Sequence, residues 1–303
     1  YAMGKIDFLG TGKCVPGKEH HFVSYYPQGR MDLYAALRRG AVPLTREAEK
    51  IADSCDLCGR CDYQCHFVTG MRPMKVMEAL KHYVDEHQAS IHDHDRGDPV
   101  LEKLAEIVGW ECCSDDPAIC ISYASDPGPD APFTMPSYVV LPGSTDEVTS
   151  VVQLCREEQL DFAVFGNGSG AMGFVMNNDV VVDMDRMKTV EMDPAKGVVR
   201  AGSGVSVFEL QQKVYSQGCR VQVAEPSALI CANLMFPGLF STGSQAFGMG
   251  SQNVVDAEFV DREGNIFRLS ERPAPGPAHQ SEDMPLPAIC TEVLYKVYRR
   301  LPD

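Results

Sequence analysis

Along residues 73–87, PMKVMEALKHYVDEH, the apolar side chains Val76, Ala79, Leu80 and Tyr83 fall at i, i+3, i+4 and i+7. That stripe predicts an amphipathic helix, and Pro73 stands where a first helical turn tolerates proline. Upstream, residues 31–52 give two shorter helical pieces parted by Gly40-Ala41-Val42-Pro43. Thr45 can cap the second piece, with Glu47 and Glu49 in its early turns, where the helix dipole favours acids. Residues 1–30 show no sustained period and are expected to be irregular. The polar stretch 88–100 reads as a linker. Its two histidines, His92 and His94, lie in an Asp-rich loop and are expected to be solvated rather than metal-bound.

From Leu101 the pattern changes to short β-rich runs alternating with helices. Tyr138–Pro142 (YVVLP), Asp161–Gly166 (DFAVFG), Val180–Val182 and the run VVRAG predict strands. STDEVTSVVQLCREEQL predicts a helix opened by Ser144 or Thr145, with Glu147 as the acid of a capping box. SVFELQQKVYSQGC predicts a second helix, stopped by Gly218 in the left-handed conformation. NVVDAEFVDREGNIFRL predicts two strands joined by a turn at Arg262-Glu263-Gly264-Asn265. There is no internal repeat. The division expected is a small, mostly helical domain with linker over 1–95 and an α+β domain over 96–303, itself split near residue 200.

Composition narrows the function classes. The chain has 303 residues, 44% of them hydrophobic, and a formal net charge of -15, so it holds ample material for a core and speaks against nucleic acid, which asks for a basic face. No apolar run approaches the roughly 18 residues of a membrane span, and no signal peptide opens the sequence. Cytoplasmic residence is expected, with any membrane association coming through partners. The 12 cysteines are not spread as in a secreted disulfide scaffold. Four are packed together and the rest are scattered, which suggests a reducing compartment, one metal site and several packed thiols.

The packed four are Cys55, Cys58, Cys61 and Cys65, in the spacing C-x2-C-x2-C-x3-C. Short loops of this kind turn three thiolates inward around one iron–sulfur cube, and the run C-x2-C-x2-C-x3-C-P is a bacterial 4Fe–4S signature. Here His66 replaces the proline. Gly59 lets backbone amides approach the sulfides. Structural zinc is the alternative, but all-cysteine zinc sites generally use two C-x2-C pairs separated by a longer loop. One 4Fe–4S cluster is therefore expected, with Cys65 as fourth ligand or, failing that, a distant thiol such as Cys14. In two-cluster ferredoxins the fourth cysteine of such a run serves the other cluster, and no second run exists in this chain. Cys112, Cys113 and Cys120 fit no cluster spacing and are expected to be buried thiols.

A second candidate is AVFGNGSGAMG (Ala163–Gly173), with glycines at 166, 168, 170 and 173. Such a loop lets backbone amides cradle a phosphate. It leads into strand material and not a long helix, so it is not the dinucleotide fingerprint of a Rossmann crevice. A plain glycine-rich hairpin is the alternative.

The surrounding sequence decides between these. MPSYVVLPGSTDEVTSVVQLCREEQLDFAVFGNGSGAMG resembles the start of the flavin-binding domain of the vanillyl-alcohol oxidase and p-cresol methylhydroxylase superfamily, nearest its glycolate and D-lactate dehydrogenase branch. VVVDMDRMKTVEMD, VRAGSGVSVFELQQKV, the segment Glu225–Ser227, GLFSTGSQAFG, NVVDAEFVDREGNIFRL and ICTEVLYKVYRRLPD resemble later family segments in the same order, so the resemblance covers about residues 101–303. It implies a two-subdomain FAD-binding fold of the vanillyl-alcohol oxidase type, preceded by the helical iron–sulfur domain. It implies that Gly166, Asn167, Gly168, Ser169 and Gly170 hold the FAD pyrophosphate, and that Gly173 supports the turn. Phe165, Pro226, Gly238, Ser241, Thr242, Gly243, Gly248 and Val254 would line the rest of the cofactor path. Phe165 stands where the family usually carries a basic residue. The loop has no histidine for covalent attachment, so non-covalent FAD is expected. SERPAPGPAHQSEDMPLPA replaces a glycine-rich stretch, and the family's substrate cap is expected to be absent, since Asp303 falls where it would begin.

The resulting expectation is an FAD- and 4Fe–4S-containing oxidoreductase subunit. It would oxidise a 2-hydroxy acid of the glycolate or D-lactate type at FAD and pass electrons through the cluster to iron–sulfur partner subunits of a hetero-oligomer. No catalytic residue can be named. One alternative is a capless electron-transfer subunit with no organic substrate. Another is a non-enzymatic module with structural zinc and a degenerate flavin fold.

Overall fold

The computed structural model describes residues 4–125, 133–168, 179–222, 229, 243–271 and 288–300. They form two compact units, Tyr1–Leu141 with Leu160–Val182 and Pro142–Gln159 with Asp183–Asp303. The chain thus crosses from one to the other three times.

The first unit opens with helices α1 (Val15–His20), α2 (Pro27–Arg39), α3 (Arg46–Asp53), α4 (Arg60–Thr69), α5 (Pro73–Glu86), α6 (Pro99–Val108) and α7 (Pro117–Cys120). Residues 15–30 are therefore not irregular, as their sequence suggests. Pro16 and Pro27 sit in the first turns of α1 and α2, where a missing amide hydrogen does no harm. Tyr25, Tyr26 and Leu33 are buried there, so packing rather than periodicity orders the segment. Helix α5 occurs where expected, but its buried face is Met77, Leu80 and Val84, with Val76, Ala79 and Tyr83 half-buried beside it. Thr45 caps α3 by accepting from the Ala48 amide at 3.2 Å. Its hydroxyl also donates to Asp116 Oδ1 at 2.9 Å, and Asp116 itself caps α7 through the Ala118 amide. His92 forms a parallel bridge with Thr45, so the backbone of the polar 88–100 stretch is hydrogen-bonded to the start of α3.

Strands β1 (Cys113–Ser114), β2 (Tyr138–Val140), β3 (Phe162–Phe165) and β4 (Val180–Asp183) form a sheet in the order β1-β2-β4-β3. β2 and β4 run parallel, with Val139 opposite Val181 and Val140 opposite Val182. All four valines are fully buried, as near-continuous apolar parallel strands should be.

The second unit contains α8 (Thr145–Glu157), β5 (Val190–Asp193), β6 (Val198–Gly202), α9 (Val207–Tyr215), β7 (Cys219–Arg220), α10 (Ser244–Phe247), β8 (Val254–Val260), β9 (Ile266–Arg268), β10 (Ile289–Lys296) and β11 (Tyr298–Arg299). An antiparallel sheet in the order β5-β6-β10-β8-β9 is its centre, and α8 packs on β8. The core gathers Val199, Ala201, Leu210, Val214, Ala257, Val293 and Tyr295. The β8–β9 turn falls where the sequence puts it. Asp261 Oδ1 accepts from the Glu263 and Asn265 amides at 3.0 and 2.8 Å, and Gly264 takes φ +81°. Ser144 does cap α8, but Glu147 does not complete a capping box. Its carboxylate accepts from the Gly143 amide at 2.8 Å and pairs with Arg186 at 3.3 Å. The full capping box is at α9, between Ser206 and Glu209. Helix α9 ends at Tyr215, and Gly218, with φ +74°, follows in the turn beyond it. No described helix is long and apolar enough to cross a membrane.

Candidate functional site

Two regions carry the sequence candidates. The first lies between α3 and α4. Ser54 ends α3, and the loop 55–59 carries Leu57 at φ +53° and Gly59 at φ +77°. A left-handed leucine is uncommon and strained. These turns set Cys55, Cys58 and Cys61, the last in the opening turn of α4, around one solvent-open hollow. Cys14, at the start of α1, lines the same hollow, as do Arg30, Arg60 and Met77. Cys65, one turn along α4, does not line it, and its Sγ lies 3.1 Å from Thr69 Oγ1.

Named contacts hold the N-terminal segment to this place. The Cys14 amide donates to Gly4 O at 2.9 Å, and the Gly4 amide donates to Gln64 Oε1 of α4 at 3.5 Å. Arg60 donates to Lys13 O at 3.1 Å. Gly4 has φ +79°, and a Cβ there would lie 3.0 Å from the Cys14 Cβ, so a glycine is required for the approach. Asp62 ties α4 to α5, accepting the Met74 amide at 2.7 Å. Burial pushes the Cys58 thiol up. It pushes Cys61 up to about 11, with the Asp62 amide opposing and the charges of Asp62, Cys55 and Cys58 adding to the rise.

Among the described residues no three His, Cys, Asp or Glu side chains converge on a point fit for one metal ion. A tetrahedral zinc would draw its sulfurs to about 2.3 Å from one centre. The residues lining the hollow include Cys14, Cys55, Cys58 and Cys61, a donor set of the kind that an iron–sulfur cluster takes. Cys112, Cys113 and Cys120 are buried and form no disulfide, with burial pushing Cys113 up to about 12. His94 Nε2 lies 3.1 Å from Asp115.

The glycine-loop candidates divide between the units. In the first, β3 runs into Gly166, Asn167 and Gly168. Phe165 is buried and meets Tyr123 edge-on at 4.8 Å. Gly168 has φ +61°, and a Cβ on it would lie 2.9 Å from Phe165 Cζ. No Asp or Glu occurs from residue 162 to 178, so this stretch offers amides without acidic repulsion, which suits a pyrophosphate. In the second unit Gly243 leads α10, and Gly248 follows it at φ +76°. A Cβ on Gly248 would lie 2.5 Å from Gln252 Oε1. Val254 opens β8 opposite Tyr295. Ser169, Gly170, Gly173, Pro226, Gly238, Ser241 and Thr242 lie outside the described residues.

Sequence reasoning missed the side chains that support the 243–254 turn. Gln222 Nε2 donates to Ser244 Oγ at 2.9 Å and to Gly248 O at 3.0 Å. Asn253 Nδ2 donates to Phe247 O and Met249 O at 2.9 and 2.7 Å. Tyr295 Oη donates to Gly250 O at 2.9 Å. None of these has a sequence signature, because each acts on backbone brought close only by folding. Arg30, beside the cysteine hollow, was missed for the same reason.

Comparison with known proteins shows what this chain is similar to. Residues 136–270 match the family described as FAD binding domain. The chain is similar to an FAD-linked oxidoreductase of Dictyostelium discoideum, 26% identical over 139 residues, 45% of this chain and 30% of that protein. It is 27% identical over 148 residues to the D-2-hydroxyglutarate dehydrogenase of Escherichia coli, covering 46% of this chain and 14% of that protein. In fold it resembles an alkyldihydroxyacetonephosphate synthase with a TM-score of 0.58 at 20% identity, over 69% of this chain and 42% of the other. The matched stretches span less than a third of the length of these two sequence relatives. Residues 136–270 are thus similar to an FAD binding domain, and the chain shares its fold with the synthase.

Proposed function

We propose that the chain is an oxidoreductase subunit that binds FAD without a covalent link, carries one 4Fe–4S cluster, oxidises a 2-hydroxy acid and exchanges electrons with iron–sulfur partner proteins in a hetero-oligomer. The observation that carries this reading is the presence, in one chain, of an FAD binding domain and of Cys55, Cys58 and Cys61 around a single hollow. When bound, FAD accepts electrons in pairs and an iron–sulfur cluster relays them singly. The chain's own residues favour that pairing. The 165–168 turn offers amides and no carboxylate to an anionic pyrophosphate. Gln222 and Asn253 hold the 243–254 turn in one conformation, so a ligand there meets a formed surface. Cys58 is exposed, which brings one edge of the hollow to the surface, within reach of a partner. The substrate class rests on the similarity to a D-2-hydroxyglutarate dehydrogenase.

The test is anaerobic purification followed by spectroscopy and titration. Flavin absorbance with a broad reducible shoulder, bleached by glycolate, D-lactate or D-2-hydroxyglutarate, is the expected result. Bleaching only by a reduced ferredoxin or a quinol would replace the substrate claim with pure electron transfer. A colourless protein would end both.

A further inference from the structure

We propose that Cys14, and not Cys65, is the fourth ligand of the cluster, with Arg30 as its buried counter-cation. The inference rests on the reading of Cys55, Cys58 and Cys61 as cluster ligands and goes beyond it, because the cysteine run by itself points to Cys65. Cys14 lines the hollow with the other three, while Cys65 stands outside it beside Thr69.

Arg30 supplies an independent reason. Its side chain is 1% exposed. Nε donates to Ile51 O at 3.0 Å and one terminal nitrogen donates to Ser54 Oγ at 2.7 Å. The other lies 3.8 Å from Cys14 Sγ. Among the described residues no carboxylate pairs with this guanidinium. A buried charge without a partner is strongly unfavourable. Four thiolates outweigh the positive charge of a 4Fe–4S core, so a cluster held by Cys14, Cys55, Cys58 and Cys61 is a net anion against Arg30. On assembly from equal amounts of ferrous and ferric iron with sulfide, which together give a positively charged core without an added oxidant, each thiol gives up its proton to solvent and its sulfur forms one bond to iron. Arg30 also joins the two arms of the site. It grips residue 54, next to Cys55, and faces Cys14 forty positions upstream of it.

The experiment is reconstitution of the full chain with equal amounts of ferrous and ferric iron and with sulfide under anaerobic conditions. Iron, acid-labile sulfide, FAD content and the electron paramagnetic resonance spectrum are read for the wild type and for Cys14→Ala, Cys14→Ser, Cys58→Ala and Cys65→Ala. The wild type and Cys65→Ala are expected to hold about four irons per chain. Cys14→Ala should fall at least fourfold or convert to a three-iron signal, with FAD retained. Cys14→Ser, whose oxygen can still bind iron, should keep iron and give an altered spectrum. A merely structural role at residue 14 would not separate alanine from serine in this way. Full iron in Cys14→Ala, or iron loss in Cys65→Ala that equals its loss, overturns the proposal. If the wild type takes up no iron, or Cys58→Ala loses none, the cluster reading itself falls, which is a different result from a failure at Cys14 alone.

Discussion

The phenolic oxygen of Tyr123 accepts the Val23 amide hydrogen at 3.0 Å, and both residues are buried. This bond joins the N-terminal helical stretch to the turn after α7. Tyr123→Phe keeps the ring against Phe165 but leaves that amide without its acceptor. The expected loss is about 1–3 kcal/mol. It would be seen as a lower urea midpoint for the first unit with an unchanged slope, and a change under about 0.5 kcal/mol would refute the assignment.

Gly168→Ala should weaken FAD binding. A residue with a Cβ is disfavoured at φ +61° by roughly 1–2 kcal/mol, and this Cβ would press on the Phe165 ring. FAD retained after desalting should fall several-fold relative to wild type, with little change in far-ultraviolet circular dichroism. Equal retention would show that the turn's backbone does not serve the cofactor.

Asp32 makes stability depend on pH in a direction opposite to most carboxylates. Burial pushes its pKa up to about 6, against the donation from Gln28 and the charge of Arg39. The folded state therefore holds the proton more tightly than the unfolded chain. Stability is greatest below the unfolded value near 4 and declines as pH rises through about 6. Asp32→Asn should remove that decline and raise stability at pH 7 by on the order of 1–2 kcal/mol, the lower figure reflecting partial solvent screening. Thermal melts at pH 4.5 and 7.5 check this, and an unchanged difference between the two would refute it.

Arg268 lies among Asp256, Glu258 and Glu292, at 3.4, 3.0 and 3.0 Å. Arg200 pairs with Glu292 from the other side. Arg268→Met would leave Asp256 and Glu258 on one sheet face without their cation. A loss of about 2–4 kcal/mol at pH 7 is expected, shrinking at high salt as the charges are screened. Denaturant titrations at low and high salt test it, and a loss independent of salt would point to packing instead.

The regular parts of this fold were legible because they depend on neighbours in sequence. The β8–β9 hairpin, the Thr45 cap and the valines of β2 and β4 follow from local pattern. Helix α5 was legible in place but not in the centre of its buried face. Met77 and Val84 are as apolar as the residues flanking them, and only the packing partners choose. Residues 15–30 were illegible because their order comes from buried tyrosines held by later segments. At the cysteine hollow, spacing placed Cys55, Cys58 and Cys61 together. Nothing in spacing could place Cys14 or Arg30 beside them, because Gly4, Arg60 and Gln64 make that approach through tertiary hydrogen bonds.

The threefold crossing between units also bears on synthesis. Helix α8 leaves the ribosome with Val148, Val151, Val152 and Leu154 uncovered, and its partner strand β8 begins at Val254. At about 5–20 residues per second, that face waits on the order of 5–20 seconds for β8. During that interval 160–182 must return to complete the first unit. A nascent chain arrested between residues 183 and 254 would thus present a finished first unit with an apolar helix hanging from it, the state in which a chaperone would find the most to hold.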